Sequence, residues 1–312
     1  MDLYMAGSTF KELNEWMRVK GYNKLLSQLN DRGAIGEWGE ALRANKDCKS
    51  KLFIDSGAFT AHTKGAELDV DEYIDFCNKN DDIFTVFAQV DTIPGEFGRP
   101  YTREELAEAP ELSWKNYLYM APKCKSRDKL IPIFHQQEDF KWLKNMLEYT
   151  HPDTGEHIKY IGISTRNDCP RKDKEKWLTK VFDIIARSSN PNVKTHAFGM
   201  TSFPLLEQFP FTSADSTAWI MVSVNGNIYT DIGAVLVSEV SASNPKHFKY
   251  MDKGQQEHIL KYIESRGFTM EQLATDYRYR EYFNILYMND WADNYVYKGG
   301  NKKIRTLFDV TE

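Results

Sequence analysis

The stretch Phe209-Pro-Phe-Thr-Ser-Ala-Asp-Ser-Thr-Ala-Trp219 carries an acidic residue, Asp215, at the end of a short apolar run and just before small polar residues. Two earlier stretches have the same form: Leu52-Phe-Ile-Asp-Ser-Gly-Ala-Phe59, ending its apolar run at Asp55, and Val86-Phe-Ala-Gln-Val-Asp91. Each reads as a buried strand closed by a carboxylate. Further short apolar runs lie at 3–6, 130–135, 160–164 and 195–200. The segments between them, at 70–80, 103–120, 139–149 and 172–188, have helical periodicity. Strand, helix, strand repetition implies parallel strands with crossover helices. Nearly continuous apolar runs are what strands covered on both faces require.

Counting outward, these seven runs want an eighth, for which 228–232 is the candidate. The expected fold is therefore an α/β, (β/α)8 TIM-type barrel. Val224-Asn-Gly-Asn227 reads as a hairpin turn, so residues 216–235 read as a β insertion in a barrel domain spanning 1–240. Beyond it the pattern changes. A helical stretch at 255–266 stops at Gly267, and Thr269-Met-Glu-Gln272 has the form of a capping box. A segment rich in Tyr, Trp and Asn follows. Residues 241–312 are expected to be a helical extension packed on the barrel, with no zinc subdomain.

With 312 residues and 41% hydrophobic content, the chain can build a large core. A net charge of −5 excludes a global positive field for nucleic acid, so any such contact must be local. The four cysteines, Cys48, Cys77, Cys124 and Cys169, form no C-x-x-C pair, which predicts free thiols and no metal site. The N-terminus lacks the basic and apolar regions of a signal peptide, and no apolar run has membrane-spanning length. The expected location is the cytoplasm, with no membrane partner.

In a parallel barrel, reactive groups stand at the C-terminal strand ends. That rule selects Asp55, Asp91, His135, Gly162 and Asp215, with Gly199 and Met200 nearby. Gly57, two residues after Asp55, allows a tight turn and close approach of a ligand, and Phe59 could lie flat under a planar ring. Taken singly, each has a plainer reading. A strand-end Asp is often a helix cap or turn former. His135 alone reads as structural, Gly162 as room for packing, and Phe198 and Met200 as core. Their joint occurrence at successive strand ends points to an enzyme with an acidic site.

The ordered set also resembles the tRNA-guanine transglycosylase family, most closely its shorter, virus-associated relatives that place 7-deazaguanine bases in DNA. Asp55-Ser-Gly-Ala-Phe59 is similar to the family's D-S-G-G-[FY] motif, and Asp91 with Thr92-Ile-Pro94 to its D-x-x-x-P segment. Ile131-Pro-Ile-Phe-His-Gln-Gln137 stands where the family has a V-Q-G-G strand end. Tyr160-Ile-Gly-Ile163 resembles its glycine-bearing strand, and His196-Ala-Phe-Gly-Met200 its L-M-G-V-G region. Ser213-Ala-Asp-Ser216 corresponds to F-D-C, which carries the nucleophile. The resemblance covers about residues 50–220.

The resemblance implies a base-exchange glycosyltransferase that replaces guanine in nucleic acid with a 7-deazaguanine derivative. Asp215 would be the nucleophile and Asp55 the general acid/base. Asp91 would read the guanine edge. Gln136 or His135, with the backbone at Gly162, would satisfy O6, and Phe59 with Phe198 or Met200 would sandwich the ring. No cofactor is implied; the partners are the free base and nucleic acid. The departures are specific: the family's C-x-C-x-x-C zinc cluster is absent, His135 replaces a Gln, and Ala58 replaces a Gly. The missing module and the short chain favour DNA over tRNA. Local basic groups that would meet phosphates are Arg166, Arg171 and Lys172, followed by Lys174, Lys176 and Lys180, and a tail patch of Lys298, Lys302, Lys303 and Arg305. A tRNA enzyme, an N-glycoside hydrolase on the same scaffold and a non-catalytic nucleic-acid-binding subunit stay open as alternatives, as do a homodimer and a helper protein.

Overall fold

A computed structural model describes residues 1–7, 9–96, 99–200 and 202–299. Strands β1 (Asp2–Ala6), β2 (Asn23–Ser27), β3 (Leu52–Asp55), β4 (Phe84–Ala88), β5 (Leu130–Ile131), β6 (Ile133–His135), β7 (Tyr160–Ser164), β8 (Lys194–Phe198) and β9 (Ser213–Ser216) form one parallel sheet. Its order is β5-β4-β3-β2-β1-β9-β8-β7-β6. The two end strands are halves of one run broken only at Pro132, so the sheet curls into an eight-position TIM-type barrel. Proline has no N–H for the ladder. Pro132 instead accepts from Gly162 N at 2.8 Å, while Ile131 O accepts from Gln89 N at 3.0 Å. The broken strand thus hands pairing from β4 on one side to β7 on the other.

Helices α1 (Lys11–Lys20) and α2 (Arg32–Ala44) follow the first two strands, and α3 (Ala58–Lys64) and α4 (Val70–Lys79) follow β3. Then α5 (Arg103–Met120) follows β4, α6 (Phe140–Glu148) follows β6, α7 (Arg171–Ala186) follows β7, α8 (Phe203–Gln208) follows β8 and α9 (Ala218–Val224) follows β9. Side-chain caps mark several starts: Asp69 accepts from Glu72 N, and Thr102 and Glu105 form a capping box. Alternation along the strands splits the core in two. Tyr4, Ala6, Leu25, Phe53, Val86, Ala88, Ile131, Ile133 and Tyr160, with Phe198 against them, fill the barrel interior. Leu3, Met5, Leu26, Leu52 and Ile54 face outward into the larger core beneath the helices.

Two expectations are corrected. The strand missing from the sequence count is β2, and 228–232 lies outside the barrel. Residues 216–235 are also not a purely β insertion: they hold α9 and then an antiparallel hairpin, β10 (Asn227–Thr230) with β11 (Gly233–Leu236). Asn225 and Gly226 end α9, and the hairpin turns at Asp231 and Ile232. The C-terminal part is helical as expected, with α10 (Lys253–Ser265), α11 (Met270–Thr275) and α12 (Tyr277–Asp293). It shares a core with the hairpin through Ile228, Val235, Val237, Ile259, Ile263, Leu273 and Phe283. Helix α12 fastens this unit to the barrel. Arg280 Nε donates to Ser223 O at 2.8 Å, Asn284 Nδ2 donates to Ser223 Oγ at 2.8 Å, and Tyr229 N donates to Asn284 Oδ1 at 2.8 Å. No helix among the described residues is long and apolar enough to cross a membrane.

Candidate active site

The three aspartates meet at the C-terminal mouth of the barrel. Asp55 ends β3, and its Oδ2 accepts from Gly57 N at 3.3 Å. Gly57 has φ 85°, and a Cβ there would meet Leu29 Cβ at 2.7 Å. Only glycine makes this turn against the end of β2 without displacing it. Burial pushes the Asp55 carboxyl up to about 7, and the negative charges of Asp91 and Asp215 add to the shift; backbone donors at Gly57 and Ser56 oppose it. Asp55 is thus poised to carry and release a proton near neutrality.

Asp215 lies within β9 and is 6% exposed. Its Oδ1 accepts from Gly199 N at 2.8 Å and from His196 Nε2 at 3.2 Å. Its Oδ2 accepts no hydrogen bond among the described residues. A carboxylate held through one oxygen leaves the other free to attack.

Asp91 stands beyond the end of β4, in a loop that two α5 side chains hold. Asn116 Nδ2 donates to Val90 O at 2.9 Å, and Ser113 Oγ accepts from Thr92 N at 2.9 Å. Gln89 Nε2 donates to Asp91 Oδ1 at 2.7 Å, and His135 Nε2 stands 3.4 Å from Asp91 Oδ2. The other ring nitrogen of His135 is 2.9 Å from Glu138 Oε1. Burial disfavours the imidazolium here, but the two carboxylates outweigh it and raise His135 to about 10. His135 is therefore a cation at neutral pH, held between Asp91 and Glu138.

Several expected residues take other positions. Gly162 is packed: a Cβ there would meet the Phe198 ring at 2.4 Å and Ile133 Cγ1 at 3.1 Å. Its N–H is committed to Pro132 O, so it has no free backbone donor for a ligand. Gln136 spends its amide on the β7–α7 loop. Its Oε1 accepts from Arg166 N at 3.0 Å, and its Nε2 stands 3.4 Å from Cys169 Sγ. Met200 is 3% exposed and packs in the outer core. Phe198 caps the barrel interior as a half-buried ring 5.6 Å from Phe53, and Phe59 is 63% exposed on α3. The mouth thus has an aromatic floor and an exposed ring at its rim.

Arg171 and Lys172 are exposed at the start of α7, on the same face as the acids, and Arg166 beside them pairs with Asp168. Lys302, Lys303 and Arg305 lie outside the described residues. Among the described residues no three His, Cys, Asp or Glu side chains are grouped so as to hold a metal ion. A cavity of about 970 Å³ lies elsewhere, lined by Phe182, Lys194, Phe209 and Thr212 near the N-terminal ends of β8 and β9. That end of a barrel serves stability, so the acidic mouth is the candidate site.

Sequence reasoning missed Gln89, Glu138 and His196. The signal for His196 was present: it stands two residues before Phe198, on the same strand face. Comparison with known proteins gives no matching family model and no matching curated protein, so the functional assignment rests on the geometry of this mouth.

Proposed function

We propose that this barrel is a base-exchange glycosyltransferase acting on nucleic acid, replacing guanine with a 7-deazaguanine base. One observation carries the reading. A buried carboxylate with one free oxygen, Asp215, shares a mouth with a carboxyl raised to about 7, Asp55. Paired acids whose environments set them to different tasks are what covalent glycosyl transfer needs.

In the first half-reaction Asp215 Oδ2 bonds to the sugar C1′. The C1′–N9 bond breaks, and its electron pair leaves with guanine. Protonated Asp55 supplies the proton that the departing base takes up. In the second half, ionised Asp55 takes the N9 proton of the incoming base. N9 then bonds to C1′, and the bond to Asp215 breaks. One glycosidic bond replaces another, so the exchange needs no external energy source.

Asp91 accepts from the N1–H and the exocyclic amine of guanine. Each carboxylate oxygen has capacity for a second hydrogen bond beyond those from Gln89 and His135. The His135 cation spends its two ring N–H groups on Asp91 and Glu138, so it orients the carboxylate that reads this edge, and adenine, lacking N1–H and the 2-amine, does not match it. Phe198 and Phe59 provide apolar surface for a base turned out of its stack. Arg171 and Lys172 face the polymer backbone, so binding weakens with added salt. DNA is favoured over tRNA because the sequence has no C-x-C-x-x-C module.

The test is trapping of a covalent adduct with DNA or tRNA, alongside exchange of labelled guanine into each. The expected result is an adduct and base incorporation with the parent chain, and neither with Asp215→Asn. An adduct that persists in Asp215→Asn sinks the assignment. Release of free base without incorporation identifies a hydrolase instead.

A further inference from the structure

The barrel interior contains a hydrogen-bonded line that the exchange mechanism does not use. Tyr160 OH contacts Ser213 Oγ, and Ser213 Oγ contacts His196 Nδ1. His196 Nε2 is 3.2 Å from Asp215 Oδ1. All four residues point inward from neighbouring strands β7, β8 and β9. Tyr160 is 9% exposed, Ser213 and His196 are 0% exposed, and Asp215 is 6% exposed. His196 is boxed by aromatic rings, with Phe198 at 4.5 Å, Phe53 at 4.6 Å and Tyr4 at 6.1 Å between centroids.

Buried donors need acceptors, and that accounting fixes the direction of the line. Asp215 Oδ1 already accepts from Gly199 N, and a carboxyl oxygen in that role only accepts, so His196 Nε2 carries a proton. If Ser213 accepted from His196 Nδ1 and donated to Tyr160, the phenol proton would have no acceptor among the described residues. If Tyr160 donates to Ser213 and Ser213 donates to Nδ1, every proton has a place. The second arrangement leaves no orphan.

We infer that His196 is a positioning residue for Asp215, and that Tyr160 and Ser213 fix its Nε2–H tautomer from within the barrel. This rests on the transglycosylase reading for its kinetic consequence, but not for its geometry. With Nδ1 occupied as an acceptor, the ring presents one donor to Oδ1. Gly199 N–H presents a second. Oδ1 is thereby anchored, and Oδ2 is the oxygen that bonds to C1′. Because His196 is fully buried behind Asp215 and out of reach of a ligand in the mouth, its loss is expected to change the rate of attack more than binding.

The experiment combines imidazole nitrogen NMR of the whole chain with single-turnover adduct formation on DNA. In the parent chain His196 is expected to show protonated Nε2 and unprotonated Nδ1. Ser213→Ala should weaken that tautomer preference, since only Asp215 then holds the ring. It should also lower kcat by about tenfold to a hundredfold with KM changed by less than about twofold, the size seen when an orienting partner of a reactive group is lost. Tyr160→Phe should have a smaller effect in the same direction. His196→Gln, whose amide keeps a donor at the Nε2 position, should retain more activity than His196→Leu. A protonated Nδ1 in the parent overturns the inference whatever the activity, and so does a folded His196→Leu with the parent kcat. If the parent transfers no base to DNA or tRNA, the transglycosylase reading falls, and the NMR result alone still decides the direction of the line.

Discussion

Asp55 and His135 both bind protons more tightly in the fold than in the unfolded chain, and each leaves a mark on stability. Folding raises Asp55 from the ordinary carboxylate range to about 7. Between roughly pH 4 and 7 the folded state therefore holds more protons than the unfolded state, and stability from this group falls as pH rises through that window. Asp55→Asn has no proton to lose. It is expected to be more stable than the parent at pH 8 by about 1–3 kcal/mol and to show no such gain near pH 4. Thermal melts at both pH values check this, and an equal gain at both would contradict it. For His135, raised to about 10, the stabilisation is complete below roughly pH 6.5 and is lost as pH rises through about 10. His135→Gln is expected to flatten the loss of stability between those limits, as denaturant midpoints across the range will show. Each acid could be read as a strand end from its apolar run. Gln89, which donates to Asp91, and Glu138, which helps to raise His135, could not, since both look like ordinary polar loop residues. His196 lies in a motif that sequence reading noticed, but Ser213, which fixes its ring, comes from the next strand.

At the level of elements, legibility depended on whether an apolar run was uninterrupted. Most barrel strands and the main helices could be read from sequence. Strand β2 could not, because Asn23-Lys-Leu-Leu-Ser27 has a lysine where a buried strand should have an apolar residue. Lys24 is nevertheless 0% exposed, with its Nζ 4.9 Å from the centre of the Trp219 ring. Burial lowers its amine to about 7, against the pull of Asp31 and Glu281. A ring supplied by α9, far along the chain, makes that burial tolerable, and no local pattern announces it. The hairpin was misplaced for a similar reason: its apolar residues serve a core shared with the C-terminal helices. Asn284 is the joint between these parts, bonding Ser223, Asn227 O and Tyr229 N. Asn284→Ala leaves the Tyr229 N–H without its acceptor, and is expected to cost about 2–4 kcal/mol. Urea denaturation will measure it, and a change below about 0.5 kcal/mol would show that α12 is not fastened here.

For the molecule as a whole, the barrel has a weak seam and a distant closure. The seam is at Pro132, where a two-residue and a three-residue strand replace one continuous ladder. Amides bonded across it, Gln89 N and Gly162 N, are expected to exchange with deuterium before the interior amides of β1 and β9. Equal protection throughout the sheet would show that the break costs nothing. The closure is the pairing of β1 with β9, which joins Leu3 to Ala214 and Tyr4 to Asp215. Contacts so far apart in sequence form late, because the intervening chain must be ordered first. Asp215 arrives on the last barrel strand, while Asp55 stands on the far side of β1 and β2. The two carboxyls therefore share a mouth only after the ring is shut. A chain caught halfway through folding holds all three carboxylates and no place where they meet, so the acidic mouth is a property of the finished barrel and of no part of it.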